Sequence, residues 1–145
     1  MSERLLELLI PSRLEYLGVL AKIVEGLQGP LALTDEELFA ASTALIEAGT
    51  NAIQHGGDSK HAPVRVTLET GDGQLVMEVQ DEGQGFDLSR IEGGSEHAAD
   101  LDHLFNSRGR GIFIMRSLMD DVTFSFGKER GTTVRLRLTR RANGA

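Results

Sequence analysis

The chain lacks cysteine entirely, and it also lacks long apolar runs. Without cysteine it can form neither disulfide bonds nor thiolate metal sites. No stretch approaches the ~20 consecutive apolar residues of a membrane-spanning helix. Residues 1–7 carry charges within their apolar run and show no cleavage signal. We therefore expect a cytoplasmic protein with no membrane partner.

The chain also has no excess of basic over acidic residues. The formal net charge of the 145 residues is −7, whereas non-specific nucleic-acid binding needs a basic surface. The length suits one domain with a sizeable core. Because the sequence contains no internal repeat, linker or low-complexity block, we expect a single domain over residues 1–145 that does not bind nucleic acid.

The first part of the chain predicts a strand followed by a helix. Residues 3–10 are rich in leucine and end at Pro11, which favours a strand, although a short helix is an alternative. Ser12 is a possible cap for a helix that extends to about residue 28. The Gly29-Pro30 pair is expected to end this helix.

A second, longer helix is predicted from its amino-terminal signal. Thr34 and Glu37 have the spacing of a capping box. Apolar residues then recur every three or four positions up to about His55. Further along, alternating or periodic apolar residues predict strands at 64–69, 75–79, 122–126 and 134–138 and a helix at 109–120.

This order of elements indicates a fold class. Helices and strands do not alternate strictly, so a doubly wound parallel sheet is disfavoured. We predict an α+β two-layer sandwich, with a mixed, largely antiparallel sheet covered by helices on one face. Residues 88–108 form a long polar connection of the kind that often serves as a lid. The tail, residues 140–145, is expected to be frayed.

Glu47 and Asn51 are the first candidate functional residues. They lie one helical turn apart, so they project from the same face of the second helix. A carboxylate can orient a water or a hydroxyl, and an amide oxygen can bind a hard cation such as Mg²⁺. The alternative is a pair of polar residues on a solvated helix face. Asn is nevertheless a poor helix former, which favours a function for Asn51.

Asp81 directly follows a predicted strand and precedes Gly83 and Gly85. In the functional interpretation Asp81 accepts a hydrogen bond from an exocyclic amine such as that of adenine, and the glycines leave room for the base. In the structural interpretation the same residues form an Asx-type turn. The segment alone favours the turn.

A third glycine-containing segment begins the helix predicted at 109–120. Gly109 and Gly111 would leave free N–H groups at a helix N-terminus, which attracts anions such as phosphate. Arg108 and Arg110 add positive charge beside them. A loop-to-helix hinge is the alternative. The chain has no GxxxxGK[ST] phosphate loop.

Two further residue types give weaker signals. Thr132 and Thr133 follow Gly131 at the start of the last strand, where threonine is an ordinary residue. The four histidines lack metal-ligand spacing, so a zinc site is not expected. His55 is interpreted as a helix C-terminal residue favoured by the helix dipole.

Taken in order, these motifs resemble the nucleotide-binding boxes of the GHKL ATPases, the superfamily of gyrase B, Hsp90, histidine kinases and MutL. The resemblance covers nearly the whole chain and implies the Bergerat ATP-binding fold with a mobile lid at 88–108. Residues 43–55 and 111–122 are most similar to the anti-sigma factor serine kinases of bacterial partner-switching systems. Gly49 stands where this family often has a larger apolar residue, which costs roughly 1 kcal/mol of helix propensity.

The resemblance implies a role for each matching residue. Glu47 would be the catalytic base, and Asn51 would hold Mg²⁺. Asp81 would bind adenine, with Thr133 beside it through a water molecule. The remaining predicted nucleotide-binding residues are Gly83, Gly85, Arg108, Gly109, Arg110 and Gly111. The cofactors would thus be ATP and Mg²⁺.

The resemblance also implies partners. The phosphate acceptor would be a serine of a STAS-domain antagonist protein, the second partner would be a sigma factor, and the kinase would be a homodimer. An ATP-responsive switch with little catalysis, for example one that regulates a phosphatase, is an alternative. Glu47 favours the kinase, since a binding module has less need of a base. The ATPase half of a split histidine kinase is a third, less favoured possibility.

Overall fold

A computed structural model describes residues 2–55, 62–81, 111–126 and 131–140. The predicted order of strands and helices is confirmed. In chain order the elements are β1 (Glu3–Ile10), a one-turn 3₁₀ helix (Leu14–Tyr16), α1 (Leu17–Leu31), α2 (Asp35–His55), β2 (Val64–Gly71), β3 (Gln74–Asp81), α3 (Gly111–Leu118), β4 (Asp121–Phe126) and β5 (Thr132–Thr139). The predicted lid, 88–108, lies outside the described residues.

The five strands form one sheet in the order β1-β2-β3-β5-β4. The predicted sandwich is confirmed, with the refinement that every pairing among the described strands is antiparallel rather than mixed. Val79 of β3 pairs with Val66 on one side and with Val134 on the other. Since residues two apart face the same side of a strand, this register places the alternating apolar residues on one common face.

That apolar face packs against the helices, and the opposite face is polar. Arg4 of β1 forms ion pairs with Glu69 (3.1 Å) and Glu7 (3.2 Å). Arg65 pairs with Glu7 as well. Pairs of this kind at the surface stabilise a fold by only about 0–1 kcal/mol each. The core on the other face therefore supplies most of the stability of the sheet.

The capping box at the start of α2 is confirmed. The backbone N–H of Glu37 donates to Thr34 Oγ1 (3.0 Å), and the N–H of Thr34 donates to Glu37 Oε1 (2.9 Å). Two backbone N–H groups at the amino-terminal end of α2 are thus hydrogen-bonded by the side chains of Thr34 and Glu37. Glu37 is only 6% exposed, and its buried carboxylate accepts a hydrogen bond at the start of α2.

The predicted limits of α1 are wrong at both ends. A 3₁₀ turn precedes the helix, which begins at Leu17 without a side-chain cap, so Ser12 does not cap it. Pro30 lies inside the last turn instead of ending the helix. Pro30 has no backbone N–H to donate to the carbonyl four residues earlier. That carbonyl belongs to Gly26, which is exposed and can be hydrated. The helix ends at Ala32, whose left-handed conformation (φ 53°) lets its N–H reach the carbonyls of Gln28 and Gly29.

Helix α2 is the centre of the helical layer. It packs on β3 and β5, with α1 on one flank and α3 on the other. On the α1 flank, a Cβ atom placed on Gly49 would lie 2.9 Å from side-chain atoms of both Leu17 and Leu20. Gly49 therefore permits a close approach of α1, which accounts for a residue that otherwise weakens a helix. No helix in the described part of the chain is long and apolar enough to cross a membrane.

Candidate functional site

Glu47 and Asn51 face the flank of α2 on which α3 begins. A Cβ atom placed on Gly111, the first residue of α3, would lie 3.2 Å from Glu47 Oε2 and 3.4 Å from both Oδ1 and Nδ2 of Asn51. Two segments far apart in sequence thus meet at one point. Of the predicted site residues, the structure brings these three together.

Glycine at position 111 is explained by this contact. A methyl group at 3.2 Å from the carboxylate oxygen would be tighter than most real contacts, so any larger residue would push against Glu47 and Asn51. Gly111 is itself buried. Its backbone lies against the face of α2 that carries Glu47 and Asn51.

Asn51 is unusual among the buried residues. Three polar or charged side chains are buried in the described part of the chain, namely Glu37, Asn51 and Thr67. Glu37 belongs to the capping box, and Thr67 lies on the polar face of the sheet between Glu7 and Glu78. Asn51 is 8% exposed and lies neither in the capping box nor on the polar face of the sheet. Its position against Gly111 favours a ligand-binding role over the solvated-face interpretation.

The side-chain oxygen of Asn51 suits a magnesium ion that phosphate oxygens also bind. Within the described ranges, no group of three or more His, Asp or Glu side chains could enclose a metal ion. Mg²⁺ often binds through one or two protein oxygens, with phosphate oxygens and water completing the octahedron. The Asn51 amide oxygen, facing the start of α3, can supply such a ligand. The dipole of α3 also favours anions at this end.

Asp81 stands at the end of β3, where the pairing with β5 determines its neighbour. Asp81 lies opposite Thr132, whereas Thr133 lies opposite Gln80. Side chains of paired residues share a face, so Thr132 accompanies Asp81 on the side of the helices and Thr133 points to the polar side. The family resemblance implied Thr133, whereas the alternation of residues leading to buried Val134 favours Thr132 as the residue on the face of Asp81.

The glycine before these threonines has a conformational reason. Gly131 is buried and has φ 96°, in the left-handed region that side chains disfavour. It turns the chain into β5 so that Thr132 is the first residue of the strand. The other predicted site residues, Gly83, Gly85, Arg108, Gly109 and Arg110, lie outside the described residues.

Comparison with known proteins agrees with this geometry. The family model described as histidine kinase-like ATPase domain matches residues 10–138. A protein from Bacillus pumilus named serine-protein kinase RsbW is 32% identical over 124 residues, which cover 81% of this chain and 76% of that protein. An anti-sigma F factor from Clostridium botulinum is 30% identical over 112 residues, 72% of each chain.

Two solved structures share the fold. The SiaB-SiaC complex from Pseudomonas aeruginosa matches with a TM-score of 0.66 at 13% identity, over 93% of this chain and 89% of that chain. The RsbU and RsbW domains of a Mycobacterium tuberculosis protein match with a TM-score of 0.64 at 16% identity, over 93% of this chain and 31% of that chain. The chain belongs to the family of histidine kinase-like ATPase domains, among relatives named serine-protein kinase RsbW and anti-sigma F factor.

Proposed function

We propose that the chain is an ATP- and Mg²⁺-dependent serine-protein kinase that acts as an anti-sigma factor. Its substrate would be a STAS-domain antagonist. The observation that carries the proposal is the convergence of the Glu47 carboxylate and the Asn51 amide on the first residue of α3. The names of the relatives, serine-protein kinase and anti-sigma F factor, support the same function.

Glu47 is assigned as the general base. The acceptor serine oxygen forms a bond to the γ-phosphorus of ATP, the bond from that phosphorus to the β-phosphate oxygen breaks, and the hydroxyl proton passes to the Glu47 carboxylate. Phosphoryl transfer requires mainly positioning and charge neutralisation. Mg²⁺ bound through Asn51 would supply part of that neutralisation. Gly111 and the N-terminus of α3 would accommodate the phosphates.

Asp81 is assigned to adenine. At the end of β3 its carboxylate can accept a hydrogen bond from the exocyclic amine. The register favours Thr132 as its companion over Thr133, the residue that the family resemblance suggested. Gly83, Gly85, Arg108, Gly109 and Arg110 remain predicted nucleotide-binding residues.

The partners follow from the same proposal. A STAS-domain antagonist would be the acceptor, and a sigma factor would be the protein retained or released according to the state of the antagonist. A homodimer is proposed as the working form. The net charge of −7 supports protein partners over nucleic acid. The protein would act in the cytoplasm, where these partners reside.

The test is phosphate transfer from γ-labelled ATP, with Mg²⁺, to purified STAS-domain proteins encoded in the same genome. Wild-type protein should label a serine on one of them. Glu47→Gln should abolish labelling while ATP binding, measured by calorimetry, persists. Glu36→Gln, an exposed glutamate at the start of the same helix, is the matched control and should label normally. Undiminished transfer by Glu47→Gln would remove its assignment as the base.

Asp81→Asn tests the adenine assignment separately. It should weaken ATP binding by about tenfold, because a hydrogen bond to a charged acceptor is worth ~1.5–3 kcal/mol. Unchanged ATP affinity in this variant would contradict the assignment. Tight ATP binding by wild-type protein without labelling of any STAS-domain protein would instead indicate an ATP-responsive switch with little catalysis.

A further inference from the structure

Helix α2 makes glycine-mediated contacts on both flanks at the height of the candidate site. Gly49 lies between Glu47 and Asn51 in the sequence, and it is two residues, or about 3 Å along the helix axis, from each. Since successive residues of an α-helix are about 100° apart, Gly49 lies roughly 200° around the axis from either side chain. The α1 contact at Gly49 and the α3 contact at Gly111 therefore act on opposite flanks of α2 at the same level.

The contact with α1 leaves no room for a side chain at position 49. A Cβ atom placed on Gly49 would lie 2.9 Å from Leu17 Cδ2 and 2.9 Å from Leu20 Cδ1, whereas carbon atoms pack best at about 3.5–4.0 Å. Leu17 is only partly buried and can turn aside, but Leu20 is fully buried in a close-packed core. A methyl group on residue 49 would therefore push α2 away from α1 by up to roughly 1 Å.

The core offers little resistance to a sideways displacement of α2. The buried apolar side chains described on this helix are five alanines and one leucine, Leu45. Short side chains interdigitate less than long ones with the layer beneath, because a helix is fixed by side-chain ridges that enter grooves. The lateral position of α2 thus depends mainly on its flanking helices, and movement away from α1 is movement toward α3.

We propose that Gly49 is a positioning residue for phosphoryl transfer, because the close approach of α1 that it permits sets the distance of Glu47 and Asn51 from α3. This inference rests on the proposed kinase function, through the roles of these two side chains. A Cβ atom on Gly111 would lie 3.2 Å from the Glu47 carboxylate and 3.4 Å from the Asn51 amide, so α2 has little room to advance. A displacement on the order of 1 Å can cost about 100-fold in rate.

The experiment compares Gly49→Ala with Thr34→Ala. Thr34→Ala removes a capping hydrogen bond at the start of the same helix and should lower the melting temperature to a similar extent. Initial rates are measured with the STAS-domain protein that wild-type enzyme labels. Gly49→Ala should lower kcat about tenfold and leave the KM for the acceptor within about twofold, whereas Thr34→Ala should leave both constants within about twofold. Combining Gly49→Ala with Leu20→Val moves one carbon across the α1–α2 contact and should restore kcat to within about threefold.

A second measurement needs no acceptor protein. Calorimetry gives the affinity for ATP with and without Mg²⁺. Because Asp81 and Thr132 belong to the sheet, Gly49→Ala should leave the affinity without Mg²⁺ within about twofold of wild type. The additional affinity that Mg²⁺ confers should fall about threefold or more, since the oxygen of Asn51 is displaced. Thr34→Ala should retain the full effect of Mg²⁺.

Two outcomes would overturn the inference. One is a wild-type kcat together with a wild-type Mg²⁺ effect in Gly49→Ala, and the other is an equal loss in Thr34→Ala, which would attribute the loss to weaker folding of α2. If Gly49→Ala does not fold, Leu17→Ala at the same contact takes its place. It should lower kcat about threefold or more, because α2 is then held less firmly on the α1 side, and an unchanged kcat would count against the inference equally. If wild-type protein labels no STAS-domain protein, the proposed kinase function fails, whereas the Mg²⁺ measurement still decides whether Gly49 positions Asn51.

Discussion

Gly111 at the start of α3 lies so near Glu47 of α2 that a Cβ atom placed on it would be 3.2 Å from Glu47 Oε2. The contact joins the middle of α2 to the start of α3. The position of the carboxylate therefore depends on a residue that contributes only backbone. Small changes at Gly111 should be felt as changes in catalysis more than in folding.

Gly111→Ala tests this dependence. The added methyl group meets both Glu47 and Asn51 at 3.2–3.4 Å, and a displacement on the order of 1 Å can cost about 100-fold in rate. We expect the phosphate-transfer rate to fall about 10- to 100-fold, with little change in melting temperature. Gly26→Ala is the control, since a Cβ atom there has no neighbour within 4 Å. Wild-type rates in Gly111→Ala would show that the contact does not position Glu47.

Thr132→Val and Thr133→Val test the register at the end of β3. Valine retains the shape and the strand preference of threonine but lacks the hydroxyl. Thr132 shares a face with Asp81, so Thr132→Val should weaken ATP binding about fivefold to tenfold, the equivalent of one hydrogen bond of ~1–1.5 kcal/mol. Thr133→Val should bind ATP like wild type. Calorimetric titration distinguishes the two, and the reverse ranking would contradict the face assignment.

Gly49→Ala should destabilise the protein even though alanine is the better helix former. The new methyl group would meet Leu17 and Leu20 at 2.9 Å, and Leu20 is fully buried. Overpacking costs about 1–3 kcal/mol, which exceeds the gain in helix propensity of about 1 kcal/mol. We expect a net loss of roughly 1 kcal/mol in urea denaturation. At the open position, Gly26→Ala should raise stability by about 0.5–1 kcal/mol, and equal effects at both positions would refute the packing explanation.

Thr34→Ala should remove one of the two capping-box hydrogen bonds of α2. We expect a loss of about 1 kcal/mol in the free energy of unfolding. A double-mutant cycle with Glu37→Ala should give a clear coupling energy, because each side chain binds the backbone of the other residue. Ser42→Ala, farther along α2, is the control. Its hydroxyl donates to Leu38 O inside the helix, so its loss should matter little.

The sequence was sufficient for the order of elements and for the central helix. Apolar spacing indicated the helices, alternation indicated β2 to β5, and the spacing of Thr34 and Glu37 identified the start of α2. These signals are local, because each depends on residues a few positions apart. The pairing of Glu47 with Asn51 on one helix face was predictable for the same reason.

What the sequence could not supply depends on distant or competing contacts. The 3₁₀ turn displaced the start of α1 from Ser12, and Pro30 lies inside the helix, where the carbonyl it leaves without a donor belongs to the exposed Gly26. The close approach of α1 to Gly49 and of α3 to Glu47 arises only when the helices pack. Alternation within β5 indicated the face of Thr132, but that Thr132 lies directly opposite Asp81 follows only from the register of β3 and β5.

The pairing of β3 with β5 links recognition to the folding of the sheet. The register that sets Thr132 opposite Asp81 is the same one that sets Val79 opposite Val134 in the core. A slip by one residue would turn the apolar row of one strand to the wrong side and separate Thr132 from Asp81. A sheet with the wrong register could not keep the proposed adenine-binding end of the site intact. After refolding, the fraction of molecules that bind ATP should therefore equal the fraction in which β3 and β5 are paired in the correct register.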